Sequence, residues 1–287
     1  MKEFNNTSLR NLKLIVSDID GTLLDDQGEL GVESKKLIRE LMKRDVIISL
    51  ATGRLHSAVL EIAKEISLNG YIISLDGALI KNYVSDETVF ESFLKKRHVK
   101  KALELSENLL VSIVLCHGTS IYYTENNSII PSLLSKYGAF YTKVSSYDDY
   151  ITGTLEIVCS GDVKSSIKQM EEKFNFPSTI GCNTSYFRSK KNENIFYLEI
   201  RKAGCSKGKA YRRLLRHLKL KHEQAAVIGD WYNDITMFDT KGVKVAVANA
   251  IPELLSAADI VTAKANKEDG IAEFFEMVLK AQRDKNG

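Results

Sequence analysis

Residues 14–24 read Leu-Ile-Val-Ser-Asp18-Ile-Asp20-Gly-Thr-Leu-Leu. A short run of Leu, Ile and Val has the texture of a buried parallel strand, and it stops at two carboxylates two residues apart, followed by Gly-Thr. In an open α/β sheet, ligands bind beyond the carboxyl ends of the strands, so Asp18 and Asp20 are expected to project into a site rather than into the core. Two acids held close together repel, which raises a proton affinity or recruits a hard cation such as Mg²⁺. Gly21 permits a positive φ and lets the backbone approach an anion. An ordinary Asp-Gly turn after a strand accounts for this stretch equally well, and the rest of the chain has to decide.

Outward from that strand the same arrangement recurs. Residues 32–44 carry Leu37, Ile38, Leu41 and Met42 at helical spacing, and residues 46–51 form a second apolar run, so a β-α-β unit is expected. It ends in Thr52-Gly53-Arg54, where a hydroxyl, a glycine N–H and a guanidinium can face an anion. A helix over 56–66 and a strand over 71–75 follow, ending at Asp76-Gly77-Ala78 on the same rim.

From residue 81 to 199 the texture changes. Strands are expected at 88–93, 111–116, 121–123, 154–160 and 195–200, with helical patterns at 99–109 and 163–174. Repeated strands with few crossover helices indicate an α+β insert with an antiparallel sheet, read here as a separate cap domain. The α/β texture then returns. Ser206-Lys207-Gly208-Lys209 opens a helix, and a strand at 225–228 ends in Gly229-Asp230-Trp-Tyr-Asn233-Asp234. Further strands are expected at 243–247 and 259–262, with a short helix beginning near Pro252 and an amphipathic helix over 271–281. The expected fold is α/β: a Rossmann-like, mostly parallel sheet core in two parts, 1–81 and 200–287, split by an inserted cap at 82–199.

A chain of 287 residues that is 44% hydrophobic and 27% charged can bury a sizeable core. Forty basic residues against 37 acidic ones give a formal charge of +3, too balanced to indicate a nucleic-acid or membrane partner. No apolar run approaches the roughly 18 residues that a membrane span needs. Cys116, Cys159, Cys182 and Cys205 are scattered without close Cys/His spacing, as expected for buried, unpaired thiols in a reducing compartment without a zinc site. The polar residues 1–11, with no signal-peptide core, lead to the expectation of a cytoplasmic protein. The five histidines show no ligand-like spacing and are assigned to neither catalysis nor metal.

The ordered set Asp18-Ile-Asp20-Gly-Thr-Leu, Ala-Thr52-Gly-Arg54, Ser-Lys207-Gly-Lys, Gly-Asp230-Trp-Tyr-Asn233-Asp234, Val-Ala-Val-Ala-Asn249-Ala and Asn-Lys-Glu-Asp269-Gly-Ile-Ala resembles the haloacid dehalogenase superfamily. More narrowly, it resembles the Cof-type phosphatases, which carry a large α/β cap between the second and third motifs. The likeness spans about residues 13–272. One departure stands out: the third-strand loop usually carries Asn-Gly-Ala in these phosphatases, and here reads Asp76-Gly77-Ala78.

The resemblance implies a Mg²⁺-dependent phosphatase acting on small phosphorylated metabolites of the sugar phosphate, pyridoxal phosphate or nucleotide type. It makes Asp18 the nucleophile and Asp20 the general acid and base. The metal would be held by Asp18, the backbone carbonyl of Asp20 and Asp230, with Asp234 binding a metal water or holding Lys207. Lys207, Thr52, Gly53, Asn233 and the N–H of Ile19 would form a phosphate cup, with Lys202 and Lys209 the rivals of Lys207. Arg54 is left between substrate contact and pairing with a core acid. Asn249 is expected to cap the helix near Pro252, and Trp231 either lines the cup or packs beneath the cap. The cap would read the leaving group, with Tyr186, Phe187 and Arg188 in 182–190 as candidates. Two other readings share these residues: a phosphomutase, which returns the phosphoryl group to substrate, and a non-catalytic phosphate-binding or regulatory module. Oligomeric state is not legible in the sequence.

Overall fold

The computed structural model describes residues 6–128, 139–189 and 192–283. Among them the chain forms β1 (Leu14–Ser17), β2 (Ile47–Ala51), β3 (Tyr71–Ser74), β4 (Leu79–Asn82) and β5 (Thr88–Glu91). Then come β6 (Ser112–Cys116), β7 (Ile121–Tyr123), β8 (Tyr141–Lys143), β9 (Glu156–Gly161), β10 (Cys182–Arg188) and β11 (Phe196–Lys202). Last are β12 (Ala225–Gly229), β13 (Val243–Ala246) and β14 (Ile260–Val261).

One sheet has the order β14-β13-β12-β1-β2-β3-β4-β5, parallel from β14 to β3. β1 has a parallel partner on each edge, and Leu14, Ile15 and Val16 expose no surface. That two-sided burial is why the run is continuously apolar instead of alternating. From β1 the chain moves to β2 on one side and later returns to β12 on the other. Such a reversal leaves a crevice at the carboxyl ends of the strands. Antiparallel β4 was not expected from the sequence; it turns back on β3 through Leu75, Asp76 and Gly77, all at positive φ.

The helix Val32–Met42 buries Ser34, Leu37, Ile38 and Leu41, the apolar stripe read from its spacing. Its N-cap, Gly31, supplies no side-chain bond; the Asp269 carboxylate accepts instead from the backbone N–H groups of Glu33 and Ser34, at 3.1 and 3.0 Å. Asp269 itself sits in the left-handed region at φ 57°. The C-terminal helix Ile271–Arg283 packs against this helix and against Asn6–Arg10, near which Leu9 and Leu12 are buried.

The chain divides into two compact units. The first holds β1 to β4, the start of β5 and β12 to β14 of the eight-stranded sheet. The second comprises Phe90–Cys205 together with Arg54–Leu60, compared with the 82–199 read from the sequence; its boundary falls later because the chain stays in the first sheet through β4 and into β5. Its six strands run β10-β11-β9-β6-β7-β8, antiparallel except for the β7–β8 pair. Val99, Ala102, Ile167, Met170 and Phe174 of the helices Lys96–Asn108 and Lys164–Phe174 join Ile113, Leu115, Ile157, Leu198 and Ile200 in one hydrophobic cluster. Glu156 and Arg201 stand opposite each other across β9 and β11, and the buried Arg201 guanidinium pairs with Glu156 and Glu199.

Candidate active site

Asp18 follows β1, and its backbone N–H still donates to the Ile228 carbonyl of β12 at 2.9 Å. Asp230 follows β12, so two motifs distant in sequence end side by side because their strands are parallel neighbours. Gly21 is held at φ 86°, and a side chain built there would meet Asp230 Oδ2 at 2.5 Å. Only glycine satisfies both the left-handed backbone and that approach. Thr22 Oγ1 donates to Asp230 Oδ1 at 2.6 Å. The sequence reading gave Thr22 no role; a hydroxyl two residues past the second acid was the one signal available.

Lys207 begins the helix Lys207–His217, whose N-cap Ser206 accepts from the Lys209 N–H at 3.3 Å. Its ammonium is fully buried and donates to Asp18 Oδ1 at 2.5 Å and to Asp234 Oδ1 at 2.7 Å. Lys202 and Lys209 are exposed, and neither makes this contact. Burial acts to lower the Lys207 ammonium, but the carboxylates of Asp18, Asp234 and Asp76 together outweigh it and hold the group above its ordinary range. The other oxygen of Asp234 accepts from the N–H groups of Asp230 and Trp231, at 3.0 and 3.1 Å. Asp234 thus fixes the lysine and closes the turn after β12.

Asp18, Asp230 and Asp234 are buried, and one carboxylate oxygen of each lies within 4.8 Å of the others. Among the described residues this is the one group of three or more potential metal ligands. Burial, and then the charge of Asp234, push the Asp18 carboxyl well above its ordinary value against the pull of Lys207. Burial likewise raises Asp230 to about 6, opposed by the Thr22 hydrogen bond. An all-oxygen set with surplus negative charge fits a hard divalent cation. The Asp20 side chain is exposed and lies outside the buried trio.

Thr52 follows β2, with its N–H on the Ile73 carbonyl at 2.8 Å and its own carbonyl accepting from the Asp76 N–H at 3.0 Å. Asn233 Nδ2 donates to Asp76 Oδ1 at 3.0 Å. Gly77, at φ 93°, approaches Ser206 so closely that a side chain there would meet the Ser206 carbonyl at 2.6 Å. The loops after β2, β3 and β12 and the start of the Lys207 helix are thereby joined. Ile19 is buried, and its carbonyl accepts from the N–H groups of Leu23 and Leu24. Arg54 is half-buried and begins the segment grouped with the second unit.

Several expectations change. Asn249 does not cap the helix Pro252–Ala257, whose N-cap is Ile251 without a side-chain bond. Its amide instead donates to the Gly21 carbonyl at 2.8 Å and accepts from the Asn266 N–H at 2.8 Å, tethering the β1 loop. Trp231 is 53% exposed, edge-on to Tyr232. In the second unit Tyr186 stacks on Phe196 and packs on the hydrophobic cluster, Phe187 stacks on Tyr197, and Arg188 pairs with Glu193 at 3.3 Å. Lys190 of the 182–190 segment lies outside the described residues. Cys205 is half-buried, unlike the three buried thiols, and His98 Nδ1 lies 3.1 Å from Cys182 Sγ.

A family model described as haloacid dehalogenase-like hydrolase matches residues 15–275. The Bacillus subtilis protein YxeH is 31% identical over 271 residues, covering 93% of this chain and 98% of that one. Another B. subtilis relative, named 5-amino-6-(5-phospho-D-ribitylamino)uracil phosphatase YcsE, is 24% identical over 265 residues, 91% of this chain and 94% of that one. A crystal structure of a haloacid dehalogenase-like hydrolase from Bacteroides thetaiotaomicron superposes with a TM-score of 0.81 at 26% identity, covering 93% of this chain and 99% of that one.

Proposed function

The chain belongs to the haloacid dehalogenase-like hydrolases, and from that premise we propose that it hydrolyses phosphate monoesters of small metabolites with Mg²⁺ through an aspartyl-phosphate. The observation that carries this reading is the buried Lys207 ammonium held between Asp18 and Asp234 beside Asp230. Binding an anion needs a cation and N–H donors; it does not need a buried carboxylate already fixed against that cation.

Asp18 is assigned as nucleophile. Its oxygen attacks phosphorus, the P–O bond to the leaving group breaks, and one difficult displacement becomes two easier ones. Asp20 is assigned as the acid that protonates the departing alkoxide. It then takes a proton from the water that attacks the phosphoryl-aspartate, which regenerates Asp18 and releases inorganic phosphate. Lys207 neutralises Asp18 enough for it to approach an anion and stabilises charge on the transferring oxygens. Thr52, Gly53, Asn233 and the N–H of Ile19 are assigned as donors to those oxygens. Asp18, Asp230, Asp234 and the backbone carbonyl of Asp20 would hold Mg²⁺, which supplies Lewis-acid charge neutralisation at the phosphoryl group.

The substrate class is supported by a relative whose named substrate is a phosphorylated small molecule. Sugar phosphates, pyridoxal phosphate and nucleotides are the classes to test. The test is phosphate release from a panel of these esters, with Mg²⁺, with EDTA and with Mg²⁺ restored. Release that EDTA suppresses and Mg²⁺ recovers is expected; indifference to both sinks the metal assignment, and no release from any ester sinks the reading. Asp20→Asn should lose most on esters with poor leaving groups, and an equal loss on all esters removes its acid role.

A further inference from the structure

Asp76 occupies a turn that any residue tolerant of left-handed backbone can form, at φ 48° and ψ 36°. A turn role does not account for where its carboxylate goes. Asp76 Oδ1 accepts from the Asn233 amide at 3.0 Å, and a side chain built at Gly53 would meet the same oxygen at 3.5 Å. Asp76 is also one of the three acids whose charge acts on the buried Lys207. Its carboxylate therefore lies among Gly53, Asn233 and Lys207, three of the groups assigned to hold the phosphoryl oxygens. Asp76 thus adds a carboxylate to those of Asp18, Asp230 and Asp234 near the Lys207 ammonium.

We propose that Asp76 is a positioning residue that sets how tightly the site holds phosphate: its carboxylate fixes the Asn233 amide and puts a negative charge beside the anion, so that ester and inorganic phosphate are both held more loosely than the surrounding donors would hold them. The proposal rests on the phosphatase reading. A like charge beside a bound anion weakens ground state, transition state and product together, because the transferring group carries its negative charge throughout. Its removal therefore acts on binding and not on the chemical step. The benefit of the loose grip is release of product, which is inorganic phosphate whichever ester is hydrolysed.

Asp76→Asn separates the two functions, since Asn keeps an oxygen for the Asn233 amide, tolerates the left-handed backbone and removes the charge. Asp76→Gly keeps the turn and removes both. The measurement is kcat, KM and competitive inhibition by inorganic phosphate for wild type and both variants with Mg²⁺, beside thermal melts. For Asp76→Asn, KM and the phosphate inhibition constant are expected to fall in parallel by roughly three- to tenfold, with kcat no higher. For Asp76→Gly, kcat is expected to fall as well, because Asn233 loses its anchor. If Asp76→Asn melts like wild type and leaves both constants unchanged, Asp76 is only a turn residue and the proposal is overturned; a rise in either constant overturns it too. If wild type itself neither releases phosphate from any ester nor binds inorganic phosphate by calorimetry, the phosphatase reading fails first and the proposal with it.

Discussion

Each unit buries a basic side chain between two acids, and the two sites have opposite characters. In the second unit Arg201 lies within β11, directly across from Glu156 on β9, and pairs also with Glu199 on its own strand. The ladder fixes the register, and the planar guanidinium matches two carboxylates at once. In the first unit Lys207 lies at a helix start among loops, against Asp18 and Asp234, with the Asp230 and Asp76 carboxylates close by. There burial and mutual repulsion push carboxyl groups upward, the electrostatic character expected of a functional site and not of a structural ion pair. Buried charge alone does not indicate function; surplus charge at the carboxyl ends of parallel strands does.

The comparison breaks most readily at Asp18. Asp18→Asn should cut phosphate release by roughly 10⁴-fold or more, while the metal-free protein melts no lower than wild type, because a carboxylate disfavoured by burial and by Asp234 is removed and Lys207 keeps Asp234. A clear drop in melting temperature would mean that the core cluster is structural, like that of Arg201.

Lys207→Met tests the other side of that pair. It leaves Asp18 and Asp234 buried without their cation, and should lower stability by about 3–5 kcal/mol as well as turnover by roughly 10²–10³-fold, read by denaturant titration and phosphate release. Turnover near that of wild type would shift the phosphate-binding role to another cation.

Arg201→Met should cost about 3 kcal/mol by removing the guanidinium that pairs with the buried Glu156, with kcat on p-nitrophenyl phosphate close to wild type. Adding Glu156→Gln should recover part of the loss. A selective collapse of kcat at unchanged stability would erase the distinction between the two sites.

The smallest effect belongs to Asp269. Asp269→Ala removes the acceptor for the N–H groups of Glu33 and Ser34 and should cost roughly 1–2 kcal/mol in a thermal or chemical melt. An unchanged melt would show that water caps the helix equally well.

Much of the first unit was legible because its signals are local. The apolar runs read at the start of 14–24, at 46–51 and at 225–228 coincide with β1, β2 (from Ile47) and β12, whose ends meet the motif acids and glycines. β4 escaped because its direction is set by the left-handed turn at Leu75–Gly77, and Leu and Asp do not announce positive φ as Gly does. Asn249 was misplaced for a related reason. An Asn three residues before a helical Pro reads as a cap, but its amide is engaged by Gly21 and Asn266, partners that no local window contains.

The sequence by itself determined the family, the order of its motifs and the fact that each acid follows a strand, since strand texture and turn chemistry depend on near neighbours. Only the tertiary structure decided which of those ends meet. The parallel pairing of β1 with β12 brings Asp230 to Asp18, and Gly77 against Ser206 seats the Lys207 helix. The Asp269 carboxylate caps a helix 235 residues earlier in the chain. Charge and hydrogen bonding act through space over a few ångströms, so the character of Lys207, Asp234 and Asp76 is set by crossover topology, which the spacing of residues along the chain does not encode.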